Sequence, residues 1–131
     1  MQTANTAGLL DVMSAKIEAK WEDVDEDRKK FFEGLRFLQN GEVEEATKVF
    51  RRAARHCPEP FSTMAKMAHG RCEVVRGHDC AALRIFRKVA TSDGPQELRQ
   101  LAWMEVADLA RKRDDQELYQ RARDGVASGP H

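Results

Sequence analysis

The chain has 131 residues, 41% of them hydrophobic and 34% charged, with 22 Lys or Arg balanced by 22 Asp or Glu. That length suits one domain with a core of its own, and the composition suits a soluble globular domain with much solvated helix surface. A formal net charge of zero supplies no global field for nucleic acid or an anionic membrane. The zero conceals a division: residues 1 to 50 carry seven Lys or Arg and eleven Asp or Glu, a balance of −4, and the remainder carry fifteen and eleven, a balance of +4. Solvated faces account for such a division, and a basic docking surface for an acidic partner is the sharper reading.

Residues 1–7 show no periodic pattern and are predicted to be disordered. The opening "MQTANTAGLLDVMSAK" has neither the charged start and apolar core of a secretory signal nor the arginines of a transit peptide. No apolar run approaches the roughly 18 residues of a membrane span. Three cysteines without CxxC spacing point to a reducing compartment, so the expected location is the cytosol and no membrane insertion is expected. Next, Leu10, Met13 and Ile17 at helical spacing, with Trp21 beyond, predict an amphipathic helix over 8–21. It would cap a stack formed by the later helices or lie in a groove of that stack like a bound peptide. From there on β-branched residues are sparse, alternation is absent and helix formers dominate, so the chain reads as all-α. Breaks at Asn40-Gly41, Pro58-Glu59-Pro60, Gly77, Gly94-Pro95 and near Asp114 separate further helices over 24–39, 42–55, 60–75, 79–90, 95–112 and 115–125. That makes about seven helices, with 127–131 as a frayed tail.

Five pairs recur 36 positions apart: Gly34 and Gly70, Gly41 and Gly77, Ala46 and Ala82, Phe50 and Phe86, Ala53 and Val89. A period in the thirties with two helices per unit marks an array of helical hairpins. Small residues at Gly34, Ala46 and Ala53 let antiparallel helices approach, Phe37 and Phe50 fill the space between them, and Pro58 stops the second helix. In order, Gly34, Phe37, Gly41, Ala46, Phe50, Ala53 and Pro58 resemble a tetratricopeptide repeat. The second unit keeps Gly70, Gly77, Ala82 and Phe86 but has Glu73 in place of an aromatic. The third, with Trp103, Val106, Ala107 and Ala110, is degenerate. The resemblance implies a single domain over 8–126: the helix 8–21, repeat one at 24–58, repeat two at 60–94 and a degenerate repeat three at 95–126. Its fold would be a right-handed antiparallel helical-hairpin solenoid.

Repeats of this kind resemble modules whose first helices line a concave surface for a peptide or helix of a partner. Here that groove would draw on Arg28, Phe31, Leu35 and Leu38, then Met64, Met67, Arg71 and Val74. An apolar lining with adaptable methionines suits an amphipathic helix. Leu35 stands where the family's carboxylate clamp has Asn, so no such clamp is expected. The expected function is protein–protein interaction, as an adaptor or assembly subunit. A small repeat chaperone holding a substrate protein is the alternative in the same class. From another class comes a nucleic-acid-associated protein using Arg51, Arg52, Arg55, Arg84, Arg87 and Lys88 on second helices, against which stand the neutral total and the absence of interleaved aromatics.

His56, Cys57, His69, Cys72, His78 and Cys80 crowd into 25 positions, but the pairs fall on different helices without a zinc knuckle, so no metal is expected. There is no GxSxG, HExxH, phosphate-cradling loop or kinase motif set, and an enzyme, a cofactor or a small-molecule substrate is not expected. Self-association through exposed ends of the stack remains open.

Overall fold

The computed structural model of the chain describes residues 26–128. These form six helices and, among the described residues, no strand: α1 (Glu26–Gln39), α2 (Val43–His56), α3 (Phe61–Val75), α4 (Asp79–Ala90), α5 (Gln96–Lys112) and α6 (Gln116–Ser128). The all-helical prediction holds. The helix predicted over 8–21 and residues 1–7 lie outside the described residues, as do 129–131.

Each helix packs against the next, and α3 also touches α1 and α5. The short turns over 40–42, 76–78 and 113–115 join α1 to α2, α3 to α4 and α5 to α6 as three pairs. We refer to α1, α3 and α5 as first helices and to α2, α4 and α6 as second helices. Charge placement follows the helix dipole: α2 opens on Glu44 and Glu45 and closes on Arg55 and His56, and α4 opens on Asp79 and closes on Arg87 and Lys88.

The turn inside each pair is built the same way. Glu42 N–H donates to Phe37 O at 2.8 Å and Gly41 N–H to Leu38 O at 3.1 Å, with Gly41 at φ 81°. His78 donates to Glu73 O at 2.8 Å and Gly77 to Val74 O at 3.0 Å, with Gly77 at φ 83°. Asp115 donates to Ala110 O at 2.8 Å and Asp114 to Arg111 O at 3.1 Å, with Asp114 at φ 58°. This is the Schellman arrangement, in which a left-handed residue just past the helix lets its own N–H and that of the next residue cap the last carbonyls. The first two turns are 36 residues apart and the second and third 37.

Pairs are joined by longer links, over 57–60 and 91–95. Between α2 and α3, Ser62 Oγ donates to Ala54 O at 2.7 Å, and the Glu59 carboxylate accepts from Thr63 N–H at 3.1 Å, capping α3. Between α4 and α5, Arg99 Nε donates back to Gly94 O at 3.0 Å.

Glycine governs how closely the helices meet. A Cβ on Gly34 would stand 2.7 Å from the Phe50 ring, and one on Gly70 would stand 2.6 Å from the Phe86 ring. First-helix glycine thus receives second-helix phenylalanine in two pairs. The third pair reverses this: a Cβ on Gly125 of α6 would lie 2.6 Å from the indole of Trp103 on α5. Gly125 has no positive φ and sits inside the helix, so α6 continues to Ser128, and residues 127 and 128 are helical where a tail was expected. The inward residues of α6 are Leu118 and Ala122, one position before those that the 37-residue spacing projects from α4. Phe86 projects onto Arg123, which is exposed and donates to Tyr119 Oη at 2.9 Å.

Candidate functional site

The eight residues expected to line a groove are placed mainly in the core. Phe31 and Met67 are fully buried, and Leu35, Leu38, Met64 and Arg71 are all below a tenth exposed; Arg28 and Val74 are half-buried. Phe31 packs between α2 and α3, its ring centroid 5.5 Å from Phe50 and 6.3 Å from Phe61, and Arg28 stacks its guanidinium 4.8 Å over Phe61. An open lining by these side chains is therefore replaced by packing, because the stripe that faces a groove in one register faces the neighbouring helices here. The repeat positions Ala46, Ala53, Ala82, Phe50 and Phe86 are buried, Phe37 is half-buried against the core, and Pro58 is exposed in the link.

Two first helices are joined by a buried ion pair. Arg71 of α3 donates to Glu105 of α5 at 3.0 Å, with side chains only 7% and 14% exposed. Burial lifts the Glu105 carboxyl above its ordinary value, and the Arg71 charge offsets this only in part. By helical spacing Leu101 and Asp108 share the Glu105 side of α5, with Met104 beside it. The large hydrophobics left exposed among the described residues are Val75 at 41% and Met104 at 51%, both on first helices.

A second polar cluster pins the α3–α4 turn. The Glu73 carboxylate accepts from His78 Nδ1 at 2.8 Å, His69 Nε2 at 3.2 Å and Arg76 Nη1 at 3.3 Å, and Arg76 also reaches Glu44 of α2 at 3.4 Å. Burial pushes the Glu73 carboxyl up, but His78, Arg76 and His69 together outweigh it and hold it below the usual range. Burial also draws His69 below its ordinary 6.5 against the opposing pull of Glu73. Among the described residues no three His, Cys, Asp or Glu side chains are placed to hold a metal ion. Burial pushes the Cys72 thiol up to about 11; Cys57 is buried too, and Cys80 is exposed.

The second helices turn outward Arg51, Arg52 and Arg55 on α2 and Arg84, Arg87 and Lys88 on α4, all exposed. Beside them lie two clefts. One, of about 310 Å³ between α1 and α2, is lined by Lys30, Glu33, Val49, Arg52, Ala53, His56 and Cys57. The other, of about 430 Å³ between α3 and α4, is lined by Thr63, Lys66, His69, Ile85, Lys88, Val89 and Ser92.

Set beside known proteins, the chain finds no counterpart: no family model matches it, and neither a curated protein nor a solved structure does.

The Arg71–Glu105 pair and the two clefts were not visible in the sequence. The ion pair spans 34 positions, which no local rule anticipates. The signal for the Glu73 cluster was present: His69 and Glu73 are one helical turn apart, and Glu73 interrupts an otherwise aromatic position.

Proposed function

We propose that the chain is a stacked helical-hairpin scaffold of tetratricopeptide type that binds another protein through its first-helix face, as an adaptor or assembly subunit. Three pairs with one turn geometry, and first helices that touch one another, support the stacked reading. The observation that carries the binding reading is the position of the exposed apolar side chains. Val75 and Met104 both stand on first helices, whereas the second helices present charge. An exposed methionine near half-buried Leu101 and Trp103 offers an adaptable apolar seat for a partner helix or peptide.

The seat lies toward α3 and α5 and not at Leu35 or Met67, whose substitution by a charge would unfold the core. The test is affinity capture with the wild-type chain and with Val75→Glu/Met104→Glu, both checked for equal helicity by circular dichroism. A partner held by the wild type and lost by the variant is expected. A partner held equally by both would move the site off the first helices.

A further inference from the structure

The two clefts are the same place in successive repeats. Lys30 corresponds to Lys66, Arg52 to Lys88 and Val49 to Ile85, each 36 positions apart. Each cleft therefore sets a first-helix lysine and a second-helix cation around a small apolar floor. Arg51 and Arg87 recur at the same spacing beside them and are exposed.

Among the described residues, these cations belong to those without an internal counter-charge. Arg76, Arg111, Lys112 and Arg121 each meet a carboxylate. Among the described residues, no carboxylate lies within ion-pair reach of Lys30, Lys66, Arg52, Lys88, Arg51 or Arg87. Like charges one turn apart, as at Arg51 and Arg55 or at Arg84 and Lys88, repel on a helix, and the dipole at the helix ends offsets this only in part. An external anion between them would offset the remainder.

We propose that this face binds an acidic peptide segment of a partner protein, with carboxylates between the paired cations and small apolar side chains on the floors of both clefts. Guanidinium and ammonium groups hold carboxylates by charge-assisted hydrogen bonds. A peptide fits better than a nucleic acid because the floors are aliphatic and the phenylalanines of α2 and α4, Phe50 and Phe86, are buried, leaving no stacking platform there. The clefts are unequal. The first contains the carboxylate of Glu33, and the corresponding residue in the second is His69, which carries no carboxylate and is engaged with Glu73. The second cleft is thus the stronger anion site, bounded at one edge by an adjoining hollow that carries Glu59 and Asp93.

The test uses the full chain and three fluorescent probes: a glutamate peptide with leucine at every third position, an all-glutamate peptide of equal length, and an oligothymidylate of matched charge. The leucine-containing peptide should bind tightest. Lys88→Glu should weaken it by about tenfold and Arg52→Glu by less, as expected for removed interface charges. Glu33→Gln should tighten it. All three positions are exposed, so circular dichroism should show unchanged folding. Val75→Glu/Met104→Glu should leave this binding unchanged, which separates it from the first-helix reading. The proposal is overturned if the leucine peptide does not bind, if Lys88→Glu has no effect, if the all-glutamate peptide binds equally well, or if oligothymidylate binds more tightly.

Discussion

At the scale of single residues, backbone geometry and side-chain volume act with opposite signs at two positions. Gly70 is helical, so alanine there would gain about 1 kcal/mol of helix propensity. Its Cβ, however, would stand 2.6 Å from a Phe86 ring that is itself fully enclosed, and overpacking of that kind costs about 1–3 kcal/mol. The steric term wins, and Gly70→Ala should lower the melting temperature by several degrees. At the third turn Asp114 occupies φ 58°, a region that favours glycine. Asp114→Gly should raise the melting temperature slightly, the relief of strain exceeding the added freedom of the unfolded chain. Thermal unfolding of both variants checks the pair; a stable Gly70→Ala would mean that Phe86 can move aside.

At the scale of elements, the α3–α4 turn depends on charge where the α1–α2 turn depends on aromatic packing, because Glu73 stands 36 positions after Phe37. That choice makes the second turn sensitive to acid. Glu73 and His69 both have folded values below their unfolded ones, so each contributes stability that is complete above the unfolded value and is lost as pH falls through the folded value. The decline therefore sets in below 6.5, through His69, and steepens below 4.5, through Glu73. Glu105 acts oppositely: its raised value gives stability below 4.5 that is lost as pH rises through the folded value. Melting temperature against pH should fall on the acid side in the wild type, fall less in Glu73→Gln, and fall more in Glu105→Gln. A parallel acid limb in Glu73→Gln would show that the cluster does not govern it. How far the elements could be read from sequence depends on the same physics. Gly41 and Gly77 announced their turns because a Schellman cap asks for a left-handed residue, and the break read near Asp114 is such a turn made without glycine. The inward face of α6 was hidden because the small and large partners exchange helices at Gly125 and Trp103. Leu35 and Met67 could be taken for groove lining because a stripe at helical spacing looks the same whether a partner or a neighbouring helix covers it.

At the scale of the whole molecule, connectivity between helices is close to linear. α3 packs against α2 and α4 and touches α1 and α5, whereas α6 packs chiefly on α5. A single domain of this size ordinarily unfolds in one step, but an array held by nearest-neighbour interfaces can open from its ends. Here α6 is held chiefly by one neighbour: among its described side chains only Leu118 and Ala122 are buried, and Arg123 stands outside where its counterpart Phe86 is enclosed. Native-state hydrogen exchange should therefore give α6 amides a lower opening free energy than α3 amides, with a smaller denaturant dependence because less surface is exposed. Leu118→Ala, which removes a buried side chain at a cost of about 2–5 kcal/mol, should lower the opening energy of α6 and leave that of α3 nearly unchanged. If both helices exchange with one free energy and one slope, and Leu118→Ala lowers them together, the three pairs unfold as a single cooperative unit. The coupling would then run through α5, which packs on α4, touches α3 and carries the Glu105 end of the ion pair to Arg71.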